Sequence, residues 1–81
     1  MDSELHKSWG RKVRERRQAM HLSQDQLADM ADVRQATISR VESGNQCPSD
    51  AVKWRLAGAL GVTVEQLFPY PAVKPPAPVA S

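Results

Sequence analysis

The chain has 81 residues, a formal net charge of +2, 41% hydrophobic residues and only 5% aromatics. That is room for one domain with a core built mainly from Leu, Val, Ile, Met and Ala. A single cysteine, Cys47, excludes a disulfide framework and a cysteine-based zinc site. No apolar run approaches the roughly 20 residues that span a bilayer, and the polar, mixed-charge stretch from Met1 to Lys7 does not read as a signal peptide.

The first element is predicted from about Ser3 to Met20. It has no proline, Gly10 is its only glycine, and Leu5, Trp9, Val13 and Met20 fall on one face at helical spacing. Asp2 or Ser3 can cap its start. Lys7, Arg11, Lys12, Arg14, Arg16 and Arg17 are concentrated between Lys7 and Arg17, opposed there only by Glu15. A clustered basic face suits a polyanionic partner, although a solvated helix surface has the same composition.

Ser23 followed by Gln26 is capping-box spacing and opens a short second helix that ends near Ala31. Leu27, Ala28, Met30 and Ala31 form its apolar side. After the tight connection Asp32-Val33, a third helix is predicted from Arg34 or Gln35 to Ser43, with Ile38 and Val41 inward and Gly44 as its stop. Asp32 and Gln35 also have capping-box spacing, which makes Asp32 a candidate cap for this helix. Asn45 to Pro48 is a loop. Ser49 or Asp50 then caps a fourth helix through Leu60, with Val52, Leu56, Ala57 and Leu60 buried and Gly58 weakening it locally. Gly61 ends it. A second capping box, Thr63 to Gln66, opens a short fifth helix in which Val64, Leu67 and Phe68 pack.

From Pro69 onward the composition changes: five of the last 13 residues are proline and almost none is charged. Such a segment cannot bury enough apolar surface to fold alone. The organisation expected is therefore an all-α, five-helix domain over residues 1–68 and a disordered, proline-rich tail over 69–81.

Helices two and three have the residue types of a helix-turn-helix. The two helices must cross closely, so the first needs a small residue at the crossing, and branched apolar residues must lock the inner side of the second. Counted from Gln24 as first, Leu27 and Ala28 fall fourth and fifth, Val33 tenth, Ile38 fifteenth and Val41 eighteenth.

At these residues the sequence resembles the Cro and phage-repressor family, also called the xenobiotic-response-element family. The likeness runs from Trp9 to Phe68. It is strongest at Leu22-Ser23-Gln24, at Gln26-Leu27-Ala28, at Thr37 through Glu42 with Gly44, and from Leu56-Ala57 through Leu60-Gly61-Val62 to Leu67-Phe68. The resemblance implies a lambda-repressor-like bundle that acts as a DNA-binding transcriptional regulator. Five positions depart from the pattern. Asp32 and His21 replace frequent glycines, Arg34 stands where a small capping hydroxyl is common, and Arg16 and Lys53 occupy positions that are commonly apolar.

With Ile38 and Val41 inward, the outer face of helix three is Gln35, Ala36, Ser39, Arg40 and Ser43, with Arg34 at its edge. In a major groove, Gln pairs with adenine, Arg with guanine, and Ala meets a thymine methyl. Gln35, Arg40 and Ala36 are the candidate base readers; Arg34 and Ser39 are candidates for either a base or a phosphate. The resemblance implies that Gln24 bonds a DNA phosphate and braces Gln35. Ser23 and Thr37 are further phosphate candidates, and Asn45 resembles a loop position near the backbone. It also implies a buried salt bridge between Arg17 and Glu42, two charges that both fall on inward-facing positions.

Catalysis finds no support: His6 and His21 are isolated, and no phosphate-cradling glycine loop or nucleophile–base set is present. No cofactor, metal or small-molecule ligand is expected. One helix-turn-helix covers about half a turn of DNA, so a homodimer on a pseudo-palindromic operator is expected. Trp54, Leu67, Phe68 and Tyr70, with Val64, are the candidate interface, unless they close the core instead. A prophage repressor, a restriction–modification controller and an antitoxin-type autoregulator all share this mechanism, and each would act in the cytoplasm. The rival class is a protein-interaction module that kept the fold and lost DNA binding.

Overall fold

A computed structural model describes residues 3–69, and they are helical and loop residues without strands. The elements are α1 (Ser3–Ala19), α2 (Gln24–Ala31), α3 (Gln35–Ser43), α4 (Asp50–Leu60) and α5 (Val64–Leu67). The proline-rich segment expected to be disordered, and Tyr70 within it, lies outside the described residues except for Pro69.

Every helix contributes to one core. Trp9 and Val13 come from α1, Leu27, Ala28 and Ala31 from α2, Ile38 and Val41 from α3, Leu56, Ala57 and Leu60 from α4, and Val64 and Leu67 from α5, with Phe68 following. Each large member contributes roughly 1.5–3 kcal/mol by leaving water, so short helices that would melt alone are held by packing.

The starts follow side-chain chemistry. Ser23 and Thr63 each accept from the backbone N–H three residues on, while the Gln26 and Gln66 side chains reach back to the cap N–H, closing two capping boxes. Ser49 caps α4 by accepting from Val52 N–H. α3 is different. Arg34 is its N-cap, in extended backbone and without a side-chain cap bond. Asp32 does not cap α3, because it is occupied at the end of α2 in the left-handed conformation, φ 55°.

The first four helices end by one device. After α1, α2, α3 and α4 a left-handed residue (His21, Asp32, Gly44, Gly61) turns the chain. The next residue's N–H, from Leu22, Val33, Asn45 and Val62, then returns to a carbonyl of the last turn. Leu22, Val33 and Val62 pack their side chains on the core as they do so. His21 and Asp32 thus hold the backbone geometry that glycine would adopt without a Cβ penalty, which explains how the chain departs from glycine there and keeps the turns.

Two polar residues at positions that are commonly apolar are accommodated locally. Lys53 is 4% exposed; its Nζ lies 4.2 Å from the Trp9 ring centroid and 4.0 Å from Asp50 Oδ1. Trp9 and Phe68 meet edge to face at 5.6 Å, so the aliphatic stem of Lys53 packs as a hydrophobe while its ammonium rests on an aromatic face. Arg16 instead turns outward and its Nε donates to the Leu60 carbonyl at 3.1 Å, tying α1 to the C-terminus of α4. That carbonyl is one of the last-turn acceptors with no partner inside its own helix.

α1 and α3 approach so closely at Gly10 that a Cβ there would stand 2.4 Å from the Val41 carbonyl oxygen and 2.5 Å from that of Glu42. No side chain fits. This crossing sets the depth at which α3 sits on the bundle, and hence how far its outer face projects.

Candidate nucleic-acid interface

α2 and α3 form the helix-turn-helix. Ala28, 5% exposed, is the small residue at the crossing, and Ile38 and Val41 are fully buried beneath α3. The turn between them is held from outside the motif by Arg55 on α4, whose Nη1 donates to the Asp32 carbonyl at 3.4 Å. With those two positions committed to the core, Gln35, Ala36, Ser39, Arg40 and Ser43 are exposed, and so is Arg34. Thr37 is half-buried, and Ser23 and Asn45 are exposed.

Beneath this face runs a continuous polar chain. Arg17 on α1 donates from Nε to Glu42 Oε2 at 2.6 Å and from Nη2 to Oε1 at 2.9 Å, a bidentate pair across α1 and α3. Its Nη1 donates to the Leu22 carbonyl at 2.8 Å, so the guanidinium also fastens the loop before α2. The side chains are 12% and 5% exposed. Hydrogen bonding to Glu42 raises the Arg17 pKa, burial opposes that, and the Glu42 charge adds to the rise. The stabilisation linked to this shift is fully present below the unfolded value of Arg17 and is lost only in stronger alkali.

The chain continues outward. Gln24 Nε2 donates to Glu42 Oε1 at 3.2 Å, and Gln24 Oε1 accepts from Gln35 Nε2 at 2.7 Å. The exposed amide of Gln35 is therefore oriented by three successive partners that end in a buried ion pair. One Gln35 N–H is used and the other remains, together with the carbonyl oxygen. That leaves the donor and acceptor that a bidentate pair with adenine requires. Gly10 and the outward bonds of Arg16 and Arg55 had no signal in the sequence read residue by residue, because each depends on what another helix brings opposite it.

The interface candidates divide. Leu67 and Phe68, at 3% and 1% exposure, and Val64 at 2%, close the core of the protomer, the second of the two uses their pattern allowed. Trp54 is 38% exposed and, with Gly58, Val62 and Thr63, borders a groove of about 310 Å³ between α4 and α5.

Comparison with known proteins matches residues 13–67 to the helix-turn-helix family HTH_3, the Cro/C1-type motif. The chain belongs to that family. It is 41% identical over 59 residues to the competence pilus inhibition repressor of Acinetobacter baylyi, covering 73% of this chain and 54% of that protein. The chain thus spans about half the length of that relative. Among solved structures, the restriction-modification controller protein C.AhdI of Aeromonas hydrophila superposes with a TM-score of 0.75 at 32% identity, over 78% of this chain and 96% of C.AhdI. The hypothetical transcription factor NHTF from Neisseria gives a TM-score of 0.76 at 26% identity, over 84% and 79% of the two chains. An HTH_3 family transcriptional regulator from Vibrio cholerae shares the fold, TM-score 0.78 at 23% identity, over 85% of this chain and 39% of that one.

HTH_3 proteins are DNA-binding transcriptional regulators, and the Cro and phage-repressor resemblance read in the sequence is the same family. Among the described residues, no helix is long and apolar enough to cross a membrane, and no group of three or more His, Cys, Asp or Glu is placed to hold a metal ion.

Proposed function

We propose that the protein is a sequence-specific transcriptional regulator, a repressor of the Cro or phage type, which reads the major groove of operator DNA with α3 as a two-fold dimer. The observation that carries this reading is the braced amide of Gln35. An exposed glutamine held by Gln24, Glu42 and Arg17 loses little rotamer freedom on binding and presents a fixed donor–acceptor pair.

Gln35, Ala36 and Arg40 then face base edges, and Arg34 and Ser39 sit where a base or a phosphate can be reached. Gln24, Ser23, Thr37 and Asn45 hold the backbone, with the N–H groups at the start of α2 favouring a phosphate there. The Acinetobacter relative is a repressor, and that likeness supports repression. Trp54 and the α4–α5 groove are the surface for the second protomer, which would place two copies of α3 about one helical turn apart.

The test is selection of bound duplexes from a random library, followed by fluorescence anisotropy on the winner across a salt series. A two-fold-symmetric site whose affinity falls in Gln35→Ala and Arg40→Ala establishes the reading. Weak, sequence-blind and strongly salt-dependent binding would replace it with the protein-interaction module.

A further inference from the structure

The outer surface of α3 is not uniform. Ala36 and Arg40 form one stripe, four residues apart. Gln35, Ser39 and Ser43 form a second, and this one leans toward α1 and the start of α2. There it borders a polar recess of about 310 Å³ lined by Arg14, Arg17, Gln24, Ser39, Glu42 and Ser43. Arg40 does not border it.

The charges in this recess leave one cation over. Both oxygens of Glu42 are taken, by two donors of Arg17 and one of Gln24, so Arg17 and Glu42 cancel. Arg14 is exposed and has no hydrogen-bond or ion-pair partner among the described residues. No acid on α1 can reach it at helical spacing: Gly10, Arg11, Arg17 and Gln18 stand three and four residues away on either side. Also lining the recess, Ser43 is turned back to the Arg40 carbonyl at 3.0 Å, while the Ser39 hydroxyl has no hydrogen-bond partner among the described residues.

We propose that Arg14 and Ser39, which both line this recess, form a clamp for one phosphate of the DNA backbone. Arg14 supplies the charge and Ser39 a hydroxyl donor. This rests on the DNA-binding reading and deepens it: Ser39 is assigned to the backbone, not to a base, and helix one becomes part of the DNA-binding surface. An uncompensated guanidinium opposite a neutral hydroxyl matches a monoanionic phosphodiester, and Gln24 at the recess edge brings the same strand to the N-terminus of α2. A base edge gives no such match, because the recess is set back beside Glu42 and away from the Ala36–Arg40 stripe.

A phosphate contact and a base contact differ in what their removal does. The experiment compares wild type, Arg14→Ala, Arg14→Lys and Ser39→Ala on two duplexes, the selected site and a shuffled sequence of equal length, by anisotropy from about 50 to about 200 mM salt. Arg14→Ala is expected to weaken binding to both duplexes by a similar factor and to lower the salt slope by about 1. Its deficit relative to wild type should therefore shrink about three- to fourfold across that salt range. Arg14→Lys keeps the wild-type slope. Ser39→Ala loses a smaller factor on both duplexes, and repeated selection with it recovers the wild-type site. An Arg14→Ala slope equal to that of wild type, or a changed base preference in Ser39→Ala, overturns the clamp while leaving the DNA reading intact. If wild type binds neither duplex, the DNA reading and the clamp fall together. Each variant is checked by thermal melting, since exposed and unpaired Arg14 should tolerate replacement with little change in melting temperature.

Discussion

Gly10 and Gly58 are both helix-interior glycines, and helix propensity makes the same statement about them: replacement by alanine should stabilise by up to about 1 kcal/mol. Their surroundings make opposite statements. At Gly58 nothing lies within 4 Å of an added Cβ, so the propensity gain is realised there. At Gly10 the Cβ would meet two backbone oxygens of α3 at 2.4 and 2.5 Å and the Glu42 carbonyl carbon at 2.8 Å. A comfortable carbon–oxygen contact is about 3.3 Å, so the helices must separate by roughly 1 Å. The obstacle is backbone on both sides and cannot rotate away. Overpacking of this kind costs about 1–3 kcal/mol, and with no flexible neighbour the upper end applies. After the propensity gain, Gly10→Ala should lose about 2 kcal/mol. For a domain of this size that is a melting temperature about 10 °C lower, against a rise of a few degrees for Gly58→Ala. Urea and thermal melts read by circular dichroism, at two protein concentrations to separate any assembly at the α4–α5 groove, measure both. A Gly10→Ala protein that melts at or above wild type would falsify the close crossing of α1 and α3.

Other expectations follow from the same contacts. Glu42→Ala strands the Arg17 guanidinium and should cost about 2–4 kcal/mol, whereas the Arg17→Ala/Glu42→Ala double variant should cost less than the sum; strict additivity in that cycle would mean the pair is not coupled. Lys53→Met keeps the packed stem and removes a desolvated charge, so it should melt within about 1 kcal/mol of wild type or above it, and a larger loss would show that the ammonium–Trp9 contact stabilises more than its burial costs. His21→Gly should raise stability by roughly 0.5–1 kcal/mol by relieving the left-handed backbone; an unchanged or lower melting temperature rejects that reading of the turn. Gln24→Ala frees the Gln35 amide, and in repeated selections the base opposite Gln35 should lose about 1 kcal/mol or more of discrimination, with an unaltered preference as the refuting result.

The arrangement of elements could be read from local chemistry because each boundary is written in neighbouring residues. Ser23 with Gln26 and Thr63 with Gln66 close hydrogen bonds three residues apart, and Gly44 and Gly61 supply left-handed stops, so none of these needs distant chain to exist. The spacing of Leu27, Ala28, Ile38 and Val41 likewise encodes its inner face without help. Through the family pattern carried by those same residues, the sequence also pointed to Arg17, Glu42, Gln24 and Gln35.

What the tertiary structure alone decided concerns choices between two uses of one residue. Asp32 could cap α3 or end α2, and it ends α2, because packing Val33 onto the core needs the left-handed turn there. Leu67 and Phe68 could face a second protomer or the first, and a domain this small needs them for its own core. Lys53 gave no sign of lying under Trp9, nor Gly10 of lying against α3, since both depend on where another helix crosses. Periodicity states which face of a helix turns inward; only the assembled bundle states what stands opposite it and how near.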